Sequence, residues 1–429
     1  MDMCVKKVNT MLRTVRDERD VKRYADFHTT TEGEVWGITV EILLHHHPEI
    51  SYDDFLLVED KETGELVSSV CLIPWHIRYG GVPLTAAMLE MVITHREYRG
   101  RGLVRDQINR FHQMVDEQGY DFSLVWGIPY FYRQFGYSYA IDLHACADSL
   151  PATAIPEPAA NESSHYQLHE ATLEDIPVLM QLHDESMAAL ELHETRDAEY
   201  WQFMFSWMQF PVQLVEDERD GAIVGYVCIH RDQKTGKSTV LESALAGEEA
   251  AMFVLRRLKA GAEGCIEIRW PGTSTLLRLA RSLGSAPLPV RQWYIRIPDM
   301  AALLTKIGPV FERRIANSDL CGLTTQLTVN LFCEAFRLQF EEGKLVRVYS
   351  AGLLLPSNDT EGGDILIPRD AFVRLLFGYR QLDELRDAWP DTVVKSGKRY
   401  VAEVLFPKMN SFFSMPWHYH GPTGRGGKS

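Results

Sequence analysis

Leu89-Glu90-Met91-Val92-Ile93-Thr94, His95-Arg96-Glu97-Tyr98 and Arg99-Gly100-Arg101-Gly102-Leu103-Val104-Arg105 follow one another without a break, and their reading decides the fold. The first piece is an apolar run of strand length. Beyond the glycines, Val104, Ile108, Phe111 and Val115 recur at helical spacing, and Gly119 can end that helix. The order is therefore strand, glycine-rich turn, helix. Glycines let such a turn approach a ligand, and the free N–H groups and positive dipole end of a helix start favour a polyphosphate. Arg99, Arg101 and Arg105 add positive charge at the same place. Some twenty residues on, Phe122-Ser123-Leu124-Val125-Trp126 reads as a second strand, followed by Gly127-Ile128-Pro129-Tyr130-Phe131-Tyr132-Arg133-Gln134-Phe135-Gly136-Tyr137.

Outward from this stretch, an internal repeat organises the chain. Leu57-Val58-Glu59-Asp60, Gly64, Val67, Val70 and Cys71 recur 157 residues later, without a gap, as Leu214-Val215-Glu216-Asp217, Gly221, Val224, Val227 and Cys228. Each copy reads as a hairpin with an acidic, glycine-bearing turn. Between the copies, PATAIPEPAANESSH reads as a linker. Beyond about residue 305 a helix-like LLTKIGPVFERRIA leads into strand-like runs and then into the helical period of RDAFVRLLFGYRQLDELRDAW. The expected ranges are 1–155 and 165–300 for the two copies, 305–420 for an α+β third domain and 421–429 for a flexible tail.

The 429 residues carry a formal charge of -15, spread as -8, -9 and +2 over residues 1–150, 151–300 and 301–429. A surface of that sign repels phosphate backbones, so nucleic acid is not expected as a partner, and it favours a cation. Seven cysteines with no C-x-x-C pair suggest neither a disulfide framework nor a thiolate metal site. No stretch reads as a signal peptide or a membrane span, and a cytoplasmic protein without membrane partners is expected. His45-His46-His47 point ~100° apart on a helix and cannot share one metal.

The pairing of Arg99 to Val104 (R-x-x-G-x-V) with Phe131-Tyr132-Arg133-Gln134-Phe135-Gly136-Tyr137 resembles the acyl-CoA-binding core of GCN5-related N-acetyltransferases. There R/Q-x-x-G-x-G/A follows the fourth strand and an FYRxFGY loop the fifth. Val104 stands where the superfamily prefers Gly or Ala. Within it the whole chain resembles the Eis-like (enhanced intracellular survival) enzymes. That implies a mixed α/β architecture: two tandem acetyltransferase-fold domains, the second without a site, and a C-terminal sterol-carrier-like domain. It also implies a homo-oligomeric, hexameric assembly.

The resemblance implies acetyl-CoA as acetyl donor and an amine as acceptor, on a cationic small molecule of aminoglycoside or polyamine type or on a lysine side chain. Val92 and Thr94 would offer backbone groups to the pantetheine arm, and Arg99, Gly100, Arg101, Gly102, Leu103, Val104 and Arg105 would cradle the pyrophosphate. Tyr132 matches the tyrosine that faces the thioester sulfur and donates a proton to the leaving thiolate. An alkylammonium is neutral in only ~1 of 10³ molecules at pH 7, so the reaction also needs a proton acceptor. Eis-like chains use their terminal carboxylate, here Ser429; His418, His420, an ordered water and Glu90 are alternatives. Glu90 is expected on one strand face with Val92 and Thr94. Glu32, Glu34 and Trp36 are expected to wall the acceptor pocket, where acid and indole suit an ammonium. The other reading is a non-catalytic acyl-CoA or lipid-binding protein working through the third domain.

Overall fold

The computed structural model describes residues 9–143, 147–158, 164–232, 236–262, 264–289, 291–354 and 362–413. Ser429, His418, His420 and residues 421–429 lie outside the described residues.

The first copy runs β1 (Thr10–Thr14), α1 (Glu18–Glu32), α2 (Glu34–His46), β2 (Phe55–Asp60), β3 (Leu66–Tyr79), β4 (Val82–Thr94), α3 (Leu103–Glu117), β5 (Phe122–Val125) and β6 (Ser138–Leu143). Strands β1 to β4 pair antiparallel in chain order, while β4 and β5 pair parallel. A parallel pair needs a crossover, and α3 supplies it. Its buried apolar face keeps Ile108, Phe111 and Val115 of the expected period and adds Leu103 and Met114, while Val104 is only half-buried, and it packs on β3 and β4. Each such side chain taken from water contributes about 1.5–3 kcal/mol.

The second copy follows with β7 (Ala147–Pro151), β8 (Tyr166–Glu170), α4 (Ile176–Met187), β9 (Leu192–Glu194), α5 (Ala198–Ser206), β10 (Val212–Asp217), β11 (Ala222–Arg231), β12 (Ser238–Leu245), α6 (Glu248–Lys259), β13 (Cys265–Arg269), α7 (Thr275–Ser282), β14 (Ala286–Pro287) and β15 (Arg291–Arg296). Sheet membership crosses the linear ranges read from the sequence. β7 pairs with β13 of the second sheet, and β15 lies between β5 and β6 of the first. Each sheet thus has a strand drawn from the sequence range expected for the other copy.

The last part holds α8 (Met300–Lys306), α9 (Gly308–Ala316), β16 (Thr325–Asn330), β17 (Ala335–Glu341), β18 (Lys344–Gly352), β19 (Ile365–Leu366), α10 (Arg369–Leu376), α11 (Leu382–Ala388), β20 (Val393–Val394), α12 (Arg399–Leu405) and β21 (Ser411–Phe412). Its sheet is ordered β18-β17-β16-β19-β20, while β21 returns to pair with β9 beside β3. Both helical runs expected here are split. Pro309 starts a new helix at Gly308. Gly378 (φ +61) ends α10, and a Cβ there would stand 2.4 Å from the Met409 side chain. One apolar cluster containing Trp75, Trp201, Trp293, Phe311 and Phe372 joins the three parts. No helix among the described residues is long and apolar enough to cross a membrane.

Candidate active site

β4 and β5 keep parallel register only from Ala86 opposite Phe122 to Met88 opposite Leu124, and beyond that rung they part. The cause lies on the other side of β4. Against β3 the register slips between Ser69 and Cys71, and the extra residue, Met91, stands at φ +53. A bulge bends its strand, and a side chain in the left-handed region costs of order 1–3 kcal/mol. Polar groups hold the distortion: Ser69 Oγ donates to the Met91 carbonyl (3.1 Å) and lies 2.9 Å from Nε2 of the fully buried His28, whose Nδ1 is 3.2 Å from Glu32. Because the Ser69 proton goes to Met91, His28 Nε2 donates to Ser69, and Nδ1, 3.2 Å from Glu32, makes a hydrogen bond to that carboxyl only when one of the two carries a further proton.

The bulge also changes the phase expected for β4. Glu90 faces Cys71 and Ile93 faces Ser69, so Glu90 shares a sheet face with Ile93, not with Val92 and Thr94. That face carries α1 and α2: Cys71, Met88 and Met91 pack in one cluster with Tyr24 of α1 and Val40 of α2, while Val92 packs against the α3 cluster. The slip thus puts Glu90 on the face that carries α1 and α2, the helices to which Glu32 and Trp36 belong.

The parted strands open into a cleft of about 1120 Å³. At one end is the turn from β4 to α3. Gly100 (φ +76) and Gly102 (φ +86) take left-handed conformations, and a Cβ at either would meet nothing within 4 Å, so their backbone faces open space. The first helical bond of α3 runs from Asp106 N–H to Gly102 O (3.1 Å), leaving the N–H groups of the first turn without helical acceptors. The arginines are anchored by part of each guanidinium. Arg99 donates to Thr94 O (3.1 Å), Arg101 to Glu97 O (2.8 Å) and Arg105 to Gln134 Oε1 (2.9 Å). Arg101 also lies over the ring of Tyr98, whose hydroxyl donates to Asp60 (2.7 Å) and holds that carboxyl below its usual range. At the end of β4, Ser68 donates to the buried Gln107 of α3 (2.6 Å) and lies 2.8 Å from Thr94 Oγ1, fixing the strand to the helix.

Residues 126–135 form the opposite wall. Gly127 lies so close to Tyr132 that a Cβ there would fall 1.9 Å from the ring. Phe131, Tyr137 and Tyr294 surround the phenol edge-on or tilted, with centroids 5.1, 6.1 and 5.7 Å away. Tyr294 comes from the exchanged strand β15 and stacks on Tyr139, whose hydroxyl accepts from Tyr130 N–H (3.0 Å). Tyr132 is only 4% exposed; burial, with the charge of Glu90 second, pushes its phenol well above the usual value. It is protonated at neutral pH. Among the described residues its hydroxyl has no hydrogen-bond partner.

Of the residues singled out in the sequence, Val92, Thr94, all of Arg99 to Arg105, Tyr132, Glu32 and Trp36 line this cleft, as does Glu90. Glu34 does not: α1 ends at Glu32, Gly33 (φ +116) turns the chain, and Glu34 is an exposed first residue of α2. Sequence reasoning passed over Met91, His28, Ser69, Gln107 and Gly127, which shape the site from behind. Among the described residues no group of three or more His, Cys, Asp or Glu can hold a metal ion.

Residues 19–140 match the family profile described as acetyltransferase (GNAT) domain. The chain carries an acyltransferase domain. Its structure resembles that of a GCN5-related N-acetyltransferase from Anabaena variabilis, with a TM-score of 0.69 at 14% identity over 94% of this chain and 99% of that one. It also resembles a GCN5-related N-acetyltransferase from Kribbella flavida (0.67, 15%, covering 95% and 100%) and Eis1 from Mycobacterium abscessus (0.62, 15%, covering 95% and 99%). At that identity the likeness is one of fold, and it extends over nearly the whole chain. No curated protein matches the sequence.

Proposed function

We propose that the protein transfers acetyl from acetyl-CoA to a primary amine of a cationic small molecule or a lysine side chain, at one site per chain. The observation that carries this is the parting of β4 and β5 after Met88, with an arginine-glycine turn at one end and a protonated phenol in the wall. In this reading the N–H groups at the start of α3, with Arg99, Arg101 and Arg105, bind the diphosphate. The splayed edge of β4 at Val92 and Thr94 receives the pantetheine amides. The amine nitrogen attacks the thioester carbonyl, the C–N bond forms as the C–S bond breaks, Tyr132 gives its proton to the departing thiolate, and the proton that the nitrogen sheds on becoming an amide restores the phenol. The ammonium proton leaves beforehand to a carboxylate on the acceptor side. Glu32, oriented by His28, stands there, and the Ser429 carboxylate belongs to the same proposal.

The second copy supports a single site. α6 follows β12 with Glu248 and Glu249 in its first turn, so its dipole end is already met by negative charge and repels a diphosphate. The test is release of free CoA thiol from acetyl-CoA across polyamines, aminoglycosides and lysine peptides. Turnover on at least one class is expected; release no faster than hydrolysis on all of them overturns the reading.

A further inference from the structure

His28 is fully buried in α1, and both of its ring nitrogens face acceptors. Nε2 lies 2.9 Å from Ser69 Oγ, which gives its own proton to the Met91 carbonyl (3.1 Å), and Nδ1 lies 3.2 Å from Glu32 Oε2. A neutral imidazole has one N–H. Ser69 takes it at Nε2, so the lone pair of Nδ1 stands against a carboxylate oxygen with no proton between them. One further proton fills that gap and leaves the ring hydrogen-bonded on both sides. Glu32 is the last residue of α1, at the end where a helix favours positive charge, and the last turn holds no Lys or Arg. Glu32 also lines the cleft. The gap is therefore buried at the ring and reached from the cleft through the carboxylate.

The second copy shows that packing alone does not require these partners. His183 follows the capping residue Thr172 by eleven positions, as His28 follows the capping Asp17, and it is as deeply buried. The place of Ser69, two before the repeated cysteine, is taken there by Tyr226, and four residues after His183 Met187 stands in place of Glu32. Among the described residues neither ring nitrogen of His183 has a hydrogen-bond partner, and burial pushes its imidazole down, toward the neutral form. The copy with the arginine-glycine turn thus has both acceptors, and the copy without it has neither.

We infer that His28 is a positioning residue for the proton acceptor: the pair it makes with Glu32 takes the ammonium proton of the acceptor into the gap between Nδ1 and Oε2. This rests on the acetyl-transfer reading and deepens it. An N–H bond of the ammonium breaks, its proton passes to Glu32 and on to the shared position, and the neutral nitrogen then attacks. After transfer the pair returns the proton to water through Glu32, whose side chain is 36% exposed. The other titratable groups facing the ring are Tyr24, stacked 5.2 Å from it on α1, Cys71 on β3 and Glu90 opposite Cys71 on β4. Burial pushes the phenol and the thiol well up, so both stay neutral as the gap fills. Of the titratable groups on α2, which packs on α1, Glu34, Glu41 and His45 are exposed and His46 is stacked on Trp207.

Nitrogen NMR of histidine-labelled protein reads the gap without turnover. At about pH 8 the His28 ring should show a protonated Nε2 and a bare Nδ1. On acidification Nδ1 should gain a proton with Nε2 unchanged, and Glu32→Gln should require a more acid solution for the same change. A ring already protonated at Nδ1 at about pH 8, or one that titrates alike in both proteins, overturns the inference. The thiol-release assay then compares ethylamine, an ammonium at neutral pH, with trifluoroethylamine, which is neutral there. Glu32→Gln, and His28→Gln, which keeps a donor for Ser69, should each lower kcat about 10²-fold on ethylamine and less than about threefold on the fluorinated amine. Equal losses on both amines give the pair a structural role and overturn the inference as well. No release on any amine sinks the acetyl-transfer reading, and the NMR titration still decides for or against the gap.

Discussion

At Tyr132, burial selects one protonation state. A phenol whose native pKa lies above its unfolded value of about 10 is favoured in the neutral form, so its share of stability is full below that pH and is lost as pH climbs through the native value. The same shift keeps the phenol, the donor of the proposed reaction, protonated throughout the neutral range. The rate should therefore show no alkaline decline from the donor below about pH 10. Tyr132→Phe should lower kcat about 10²-fold while acetyl-CoA binds as before, measured by thiol release and by calorimetry. Gly127→Ala is a sharper test of placement. Its Cβ cannot coexist with the present ring position, so the phenol must move, and kcat should fall nearly as far as in Tyr132→Phe with the hydroxyl still present. Tyr132 was legible because its loop is a motif. Gly127 was not, since nothing local says that a ring five residues on will lie against its Cα. His28 and Ser69 are 41 positions apart, and only the packing of α1 on β3 joins them.

Among the elements, α3 was the easiest to read and the end of β4 the hardest. The helix declares itself through a period that needs no partner, whereas the bulge exists only relative to the register of β3, set some twenty residues upstream. A strict alternation therefore placed Glu90 on the wrong face. The two split helices near the end of the chain show the same limit. Apolar period continues through Gly378, and the reason to stop there is the approach of Met409 from a later segment. The turn between β4 and α3 makes its own prediction. Gly102 sits at φ +86 with open space where a side chain would go, so Gly102→Ala meets no clash but holds alanine in a conformation costing roughly 1–2 kcal/mol. Relaxing that strain turns the first N–H groups of α3 away from the cleft. The KM for acetyl-CoA should rise about five- to tenfold, with the amine KM little changed. An unaltered acetyl-CoA KM would detach this helix start from diphosphate binding.

Across the whole molecule the repeat was readable and the exchange of strands was not. Residue pattern marks β7 and β15 as strands without saying which edge each will join, and either sheet offers a suitable edge. The exchange has a functional side. β15 fills the space between β5 and β6 and brings Tyr294 against Tyr132 and Tyr139, so the wall opposite the arginine-glycine turn is completed by a residue over 150 positions away. The first copy is therefore not a separable catalytic module. A chain ending at residue 155 leaves β5 with an unpaired edge and Tyr132 with an open flank, and it should neither unfold cooperatively in urea nor be stabilised by acetyl-CoA. A chain ending near residue 300, which retains β15, should regain both properties and unfold in one transition shared by the two sheets, because each owns a strand that the other must release. Separate transitions for the two copies, or acetyl-CoA binding by the shorter chain, would show that the exchanged strand closes the sheet without building the site.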